Sequence, residues 1–263
     1  MSVDGMSAGV PLDELAGSDD PRAARVAAAA ALRRRDVPAD QRRDLLAIEA
    51  RRKQLSTDER PVELRAYPAP WEDGYSDAQA AGGHQTVEDV AGEVAKRISI
   101  NRRPAMLLYA LVREFAPLRL LEMGTGVGIS GAYLATALRH AGRGRMIALE
   151  GAPDLAALAA ETYAELGLDM VEEVRVGPFT ETLDDAITGG VDFAYVDGHH
   201  DGRATLDYFE GLLPHAPDAL LAFDDVRWSE GMRSAWRQIA NDDRVSLAVD
   251  AKRVGLAFTG PPA

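Results

Sequence analysis

The sequence predicts an α/β protein built around a mostly parallel, doubly wound β-sheet. From residue 118 onward, short apolar runs alternate with segments of helical periodicity, and repeated strand–helix units form parallel sheets with helices on both faces. A glycine-rich turn joins the first of these strands to its helix. Only a short polar turn separates the last two apolar runs, so they should pair as an antiparallel hairpin. We therefore expect a seven-stranded, Rossmann-like sheet that ends in this hairpin.

The individual elements follow from the apolar runs and from the periodic segments between them. We predict strands over residues 119–124, 145–150, 172–176, 191–197, 218–224, 245–249 and 255–259. We predict helices over residues 129–141, 152–166, 180–188, 202–213 and 229–240. The helix at 129–141 directly follows the glycines, so its free N–H groups should point toward the turn.

The N-terminal third of the chain predicts a helical extension. Residues 1–20 are small and acidic without periodicity, which is typical of disorder. Prolines and glycines concentrated in residues 56–85 indicate a linker. The remaining segments predict helices over 21–35, 39–55, 86–98 and 104–115, the third opened by a capping-box-like Thr86-Val-Glu-Asp89. We therefore divide the chain into a tail, helical extension and linker at 1–85 and a main domain at 86–263. We expect the helices of the extension to cover a pocket or to form a homodimer contact.

Composition narrows the possible functions. The chain contains no cysteine, which excludes disulfide frameworks, thiolate zinc sites and cysteine nucleophiles. No apolar run approaches the roughly 20 residues that a membrane span requires, and no targeting segment is evident, so we expect a cytoplasmic enzyme. The net charge is −13, but residues 21–65 carry 12 basic and 7 acidic residues, so the remainder has a net charge of −18. Such an acidic main domain is a poor platform for nucleic acid and favours a small neutral or cationic substrate, or one that needs a metal.

The turn after the first strand predicts a nucleotide-binding corner. Gly124, Gly126 and Gly128 alternate there, so the backbone can approach a ligand while the helix N-terminus favours negative charge. The segment Gly126–Gly131 also spells G-x-G-x-x-G, the dinucleotide fingerprint. That pattern begins two residues late, because Gly124 already ends the strand. A turn that only packs the strand against the helix is a third interpretation.

The stretch Glu122-x-Gly124-x-Gly126-x-Gly128 resembles the first motif of class I S-adenosyl-L-methionine (SAM) methyltransferases. The resemblance implies that this loop binds the amino-acid end of SAM and that Glu150, at the end of the next strand, binds the ribose hydroxyls. It implies cofactor contacts from Glu122, Gly124, Thr125, Gly126, Gly128, Ser130, Glu150, Gly151, Phe179 and Asp197. Two of these have alternatives: Phe179 either stacks on the adenine or packs in the core, and Ser130 either binds the SAM carboxylate or caps its helix.

Acidic and imidazole side chains follow the next two strands. The fourth strand ends in Tyr195-Val-Asp197-Gly-His-His200, and the fifth ends at Asp224 and Asp225. Adjacent carboxylates at the end of a buried strand repel one another and lose solvation unless a cation or hydrogen-bond donors compensate. A divalent ion with oxygen ligands, such as Mg²⁺, would compensate.

These positions are similar to those of the cation-dependent, catechol-type O-methyltransferases and of an uncharacterised bacterial class I methyltransferase family. The resemblance implies that Asp197, Asp224 and Asp225 bind the metal ion. It also implies a general base three residues after the first aspartate, which is a lysine in the catechol enzymes. Here that position is His200, although the neighbouring His199 could face the site instead.

We therefore predict SAM-dependent methyl transfer to the hydroxyl group of a small molecule, assisted by Mg²⁺ or another divalent cation. A metal-independent N- or carboxyl-methyltransferase is an alternative. An NAD(P)-binding oxidoreductase and an inactive SAM-fold binding protein are two others. Neither nucleic acid nor a membrane is an expected partner.

Overall fold

The computed structural model describes residues 8–32, 36–66 and 85–261. An eight-stranded sheet with the strand order β1-β9-β10-β8-β7-β4-β5-β6 forms its centre. The strands are β1 Val10–Pro11, β2 Pro61–Ala66, β3 Gln85–Val90, β4 Arg119–Met123, β5 Arg145–Glu150, β6 Val171–Val176, β7 Phe193–Val196, β8 Leu220–Phe223, β9 Val245–Ala251 and β10 Val254–Thr259. The α-helices are α1 Pro21–Ala31, α2 Ala39–Leu55, α3 Ala91–Ile98, α4 Arg102–Phe115, α5 Ile129–Ala141, α6 Pro153–Glu165, α7 Phe179–Ile187, α8 Gly202–Leu212 and α9 Glu230–Ala240.

The predicted sheet is confirmed. All seven expected strands form, and each begins and ends within two residues of its predicted bounds. Strands β6, β5, β4, β7 and β8 are parallel, whereas β10 pairs antiparallel with both β8 and β9. Every residue of β7 and β8 is buried, as expected for central strands covered by helices on both faces. The strand order reverses at β4, which has β5 on one side and β7 on the other, and ligands of such sheets bind at this switch point.

The expected disorder of residues 1–20 is wrong for the part that the structure describes. Strand β1 pairs in parallel with β9 as an eighth strand, and a 3₁₀ helix follows at Leu12–Gly17. Leu15 is fully buried in the core, and the indole N–H of Trp236 donates to the carbonyl oxygen of Ala8 at 2.8 Å. A few such contacts order a segment that has no periodicity of its own. Residues 1–7 lie outside the described residues.

The helix predicted at 86–98 and the linker at 56–85 also need correction. Residues 85–90 form β3, which pairs antiparallel with β2, and the helix begins only at Ala91. The β-branched Thr86, Val87 and Val90 favour a strand and override the capping-box-like pattern. The linker therefore contains β2, and its residues 67–84 lie outside the described residues.

The N-terminal helices pack on the main domain rather than forming a separate unit. The hydroxyl of Tyr133 in α5 donates to Glu49 of α2 at 2.8 Å. Buried Arg51 donates to the Thr162 hydroxyl of α6 at 3.2 Å. Because the β2–β3 ladder also crosses the expected boundary at residue 85, α2 and this ladder extend the main domain. No helix in the described part of the chain is both long and apolar enough to cross a membrane.

Candidate active site

The glycine loop after β4 lies at the switch point of the sheet. The backbone N–H groups of Gly124 and Thr125 both donate to the Leu149 carbonyl of β5, at 2.9 and 3.1 Å. Gly124, Gly126 and Gly128 have φ values of +89°, +54° and +84°, in the left-handed region that favours glycine. The two hydrogen bonds hold the loop against β5. Gly128, at the end of the loop, is the N-cap of α5.

The last residue of the dinucleotide-like pattern has a packing role. A Cβ atom at Gly131 would collide with the Tyr163 hydroxyl and would lie 2.5 Å from the carboxylate of Glu122. Glycine is therefore required there because α5 approaches α6 closely. This spacing accounts for the final glycine of G-x-G-x-x-G without a dinucleotide.

Glu122 is a buried acid beneath the loop. Its Oε2 accepts hydrogen bonds from the hydroxyls of Thr125 at 2.5 Å and Tyr163 at 3.4 Å, and the Ser130 hydroxyl also faces the carboxylate. Its Oε1 is buried and has no hydrogen-bond partner among the described residues. Burial raises the pKa of Glu122 to about 6. Since a buried carboxylate oxygen without a donor is costly, Oε1 is a candidate acceptor for a ligand.

Glu150 ends β5 beside the same loop. One of its carboxylate oxygens accepts from the Gly126 N–H at 2.8 Å, and the other accepts from the Ala152 N–H at 2.9 Å. The Gly151 N–H also hydrogen bonds to this carboxylate and lowers its pKa, although burial is the larger effect and raises the pKa overall. Each oxygen can accept a further hydrogen bond. Glu150 therefore lies where a ribose-binding acid is expected, and it joins the loops after β4 and β5.

The acidic turn after β7 packs on the glycine loop. The Asp197 N–H donates to the Met123 carbonyl at 2.9 Å, and the Tyr195 hydroxyl donates to Asp197 Oδ2 at 3.1 Å. The Asp197 side chain is largely buried. This burial, followed by the charge of Asp224, raises its pKa well above the ordinary value. His200 Nε2 lies 3.6 Å from Asp197 Oδ1, so an aspartate–histidine pair stands at the end of β7.

The two adjacent histidines point to different surroundings. His199 Nδ1 lies 2.5 Å from the Tyr208 hydroxyl, whereas His200 lies beside Asp197 and has its ring 6.3 Å from that of Trp228. Both have positive φ, +60° and +46°, which turns the chain sharply enough to separate their side chains. His200 is therefore the histidine that lies next to the acidic cluster formed by Asp197, Asp224 and Asp225. The Trp228 side chain is 71% exposed and forms an aromatic surface beside it.

Phe179 lies in the core at the start of α7. It is 8% exposed and makes an edge-to-face contact with Tyr208 at 5.5 Å between ring centroids. A Cβ atom at Gly198 would collide with its ring. This position favours the core interpretation of Phe179 over adenine stacking.

Arg253 is a site residue that the sequence analysis missed. Its guanidinium Nε donates to Asp224 at 2.9 and 3.1 Å, and its Nη2 donates to Asp224 at 2.6 Å and to Asp225 at 3.2 Å. The arginine comes from the turn between β9 and β10, 28 residues beyond Asp225. The signal that could have found it is the register of the hairpin, which sets Gly255 opposite Phe223 of β8.

The expected metal ligands do not fit a divalent cation in their present arrangement. Both oxygens of Asp224 accept from Arg253, Asp225 shares that guanidinium, and Asp197 Oδ2 accepts from Tyr195. Within residues 8–32, 36–66 and 85–261, no group of three acidic or histidine side chains is placed to hold a metal ion. The positive charge that compensates these carboxylates comes from the guanidinium of Arg253.

A cavity of about 1210 Å³ opens beside Arg253, between α1, the start of α4 and the β9–β10 turn. Among the described residues, its charged lining consists of Arg42, Arg102, Arg103, Lys252 and Arg253 together with one acid, Asp13. Its apolar lining includes Leu12, Leu32, Met106, Leu107 and Val254. The cavity therefore joins an apolar wall to an excess of positive charge next to the acidic cluster.

Comparison with known proteins agrees with this geometry. A family model described as a methyltransferase domain matches residues 121–226. The probable O-methyltransferase Rv1703c of Mycobacterium tuberculosis is 29% identical over 153 residues, which are 54% of this chain and 64% of that protein. The chain thus spans less than two thirds of the length of this relative.

Solved structures give the same answer for the fold. The O-methyltransferase from Bacillus cereus in complex with SAH superposes with a TM-score of 0.52 at 26% identity, over 62% of this chain and 83% of that one. The O-methyltransferase TomG from Streptomyces achromogenes, involved in tomaymycin synthesis and solved with SAM, gives 0.51 at 27% identity, over 62% and 82%. SAH is bound in the first of these structures and SAM in the second. The chain has a class I methyltransferase fold and, in sequence and structure, resembles the SAM-dependent O-methyltransferases.

Proposed function

We propose that this protein transfers the methyl group of SAM to a hydroxyl oxygen of a small molecule. The observation that carries the proposal is the convergence of three strand ends. The glycine loop after β4 hydrogen bonds to Glu150 after β5 and packs on Asp197 after β7. The similarity to O-methyltransferases supports the choice of oxygen as the acceptor atom.

The residues around the loop fit SAM. Glu122 Oε1, which is buried without a partner among the described residues, is the proposed acceptor for the ammonium group, either directly or through water. Glu150 is the proposed partner of the ribose hydroxyls. When bound, SAM supplies an electrophilic methyl group on a sulfonium. Holding donor and acceptor together in line then supplies much of the rate, because the entropy of encounter is already lost on binding.

His200 is the proposed general base. With Nε2 facing Asp197, Nδ1 is the nitrogen that takes the proton from the acceptor hydroxyl. The Asp197 carboxylate orients the ring and stabilises the imidazolium that forms, while the Tyr195 hydroxyl holds Asp197 in place. Histidine is suited to this role because it changes charge near neutral pH.

Metal assistance, which the catechol-type resemblance implies, is the second candidate. Three carboxylates at two adjacent strand ends favour it. The ion pairs of Asp224 and Asp225 with Arg253 oppose it, so we assign no step to a metal ion.

The acceptor that we propose has an apolar or aromatic body and a negatively charged group. The cavity next to Arg253 supplies an apolar wall together with Arg102, Arg103 and Lys252, and arginine pairs well with carboxylates. Trp228 offers an aromatic surface on the His200 side. This cationic lining favours an anionic acceptor, whereas the acidic net charge of the main domain suggested a neutral or cationic substrate.

The experiment is methyl transfer from radiolabelled SAM to a panel of hydroxylated aromatic acids, in the presence of EDTA. In one matched panel a neutral amide replaces the carboxylate and the hydroxyl is kept. In a second panel an amine replaces the hydroxyl. We expect label on the oxygen of the acids. Label only on amines would replace the proposal with N-methylation. Transfer only when Mg²⁺ replaces EDTA would favour metal assistance, and no transfer under either condition despite SAM binding would favour the inactive binding protein.

A further inference from the structure

Arg253 stands where a cation is needed. The guanidinium lies between the carboxylates of Asp224 and Asp225 and makes four hydrogen bonds to them, from 2.6 to 3.2 Å. Asp224 is only 1% exposed, so water cannot take over this role. We infer that Arg253 is the built-in cation of the acidic cluster and takes the place of the divalent metal ion that the catechol-type resemblance implies at Asp224 and Asp225. The inference concerns cation binding and does not depend on methyl transfer.

The guanidinium of Arg253 and a divalent metal ion cannot both bind at this position. A divalent ion would need carboxylate oxygens at about 2.0–2.6 Å. Asp224 could turn toward such an ion only by giving up its bidentate pair with Arg253. The displaced guanidinium would then stand close to a second positive charge. Arginine, which is always charged and forks to match a carboxylate, is well suited to hold such a place permanently.

The backbone keeps Arg253 in this position. Its carbonyl accepts from the Val226 N–H at 3.1 Å, which ties the β9–β10 turn to the loop after β8. Asp250 closes the turn by accepting from the Lys252 N–H at 2.7 Å, and it also pairs with Arg227 at 2.6 Å. The ion pair therefore follows from a fixed turn and not only from the reach of a long side chain.

The test is Mn²⁺ binding, followed by electron paramagnetic resonance and calorimetry in the absence of SAM. The wild type is compared with Arg253→Met, which keeps a long side chain without charge, and with Lys252→Met as the matched control in the same turn. We expect no Mn²⁺ binding dependent on Asp224 in the wild type or in Lys252→Met. We expect Arg253→Met to bind one Mn²⁺, and Asp224→Asn added to it to weaken that binding by at least tenfold.

Two results would overturn the inference. The first is stoichiometric Mn²⁺ binding by the wild type that is lost in Asp224→Asn. The second is a folded Arg253→Met protein that binds no Mn²⁺. Melting temperature keeps the test decisive if Arg253→Met folds poorly: Mn²⁺ or the added Asp224→Asn change should restore it, and failure of both would contradict the inference. Loss of methyl transfer alone would leave these readouts unchanged, so the two proposals fail separately.

Discussion

The carbonyl oxygen of Asp197 lies so close to the α-carbon of Gly124 that a Cβ atom cannot fit between them. The glycine loop and the acidic turn after β7 are thus in direct backbone contact. Any residue other than glycine at position 124 must push the loop after β4 away from the turn after β7. The proposed SAM site and the proposed base are therefore positioned by the same contact.

Gly124→Ala should separate these two loops. We expect SAH affinity to fall by at least about tenfold, which corresponds to about 1.4 kcal/mol, because the loop is displaced, and we expect the protein to be destabilised. Gly142→Ala is the control, because Gly142 has a similar φ of +72° but nothing within 4 Å of its Cβ position. Gly142→Ala should lower the free energy of unfolding by only about 1–2 kcal/mol, because alanine is strained in the left-handed region. It should leave SAH binding intact. Calorimetry and thermal melts check both variants, and equal loss of affinity in the two would refute the argument.

Glu122 should give the stability of the protein a pH dependence of known sign. Burial raises its pKa from 4.5 to about 6, so the folded protein retains a proton that the unfolded chain releases. This contribution to stability is complete below pH 4.5 and is lost as the pH rises through about 6, a change of about 2 kcal/mol. Glu122→Gln should remove it.

The measurement is the free energy of unfolding in urea between pH 4 and pH 7.5, for the wild type and for Glu122→Gln. As the pH rises, the free energy of unfolding of the wild type should fall relative to that of Glu122→Gln. Parallel profiles would mean that Glu122 keeps an ordinary pKa in the folded state.

The two histidines should differ in kinetics. His200→Ala should lower kcat by about 10²–10⁴-fold, the usual effect of losing a positioned base, and should abolish the acidic limb of the pH–rate profile. His199→Ala loses its contact with the Tyr208 hydroxyl and should cost only about 1 kcal/mol of stability. SAH affinity should be unchanged in both. An acidic limb that persists in His200→Ala would show that the proton leaves by another route.

The cationic cavity should select the acceptor. Arg102→Glu places an acid in the wall of the cavity and should raise KM for an anionic acceptor by about tenfold or more, because a repulsive charge replaces a favourable one. Arg145→Glu is the control, since Arg145 is exposed at the opposite, N-terminal end of β5. Equal KM values for a hydroxy acid and its amide in the wild type would argue against an anionic acceptor.

The main sheet could be predicted because its signals are local. Buried strands such as Phe193–Val196 are continuous apolar runs, and the helices between them show clear periodicity. β1 could not be predicted, because two residues carry no period, and its order depends on β9 and on the contact between Trp236 and Ala8. The capping-box-like pattern at residues 86–89 was misleading, because pairing with β2 outweighs a local capping preference.

The candidate site divides in the same way. Glu150 and Asp197 were predictable because they directly follow strands of a parallel sheet, and those strand ends meet at one edge. Arg253 was not, since its partnership with Asp224 depends on where the last hairpin pairs. The carboxylates after β7 and β8 do need a compensating charge, as their adjacency in the sequence indicates, but their positions alone do not distinguish a metal ion from a distant guanidinium.

The proposed function depends on SAM binding at the loop between Glu122 and Glu150, and calorimetric titration measures that binding without an acceptor. SAH, NAD and NADP are titrated into the wild type and into Glu150→Ala, with EDTA present. We expect SAH to bind the wild type with one-to-one stoichiometry, and Glu150→Ala to lose about 1.5–3 kcal/mol of that affinity, as expected for a hydrogen-bonding charged group. Absence of SAH binding, equal SAH affinity in the two proteins, or tighter binding of NAD or NADP would contradict the proposed SAM site.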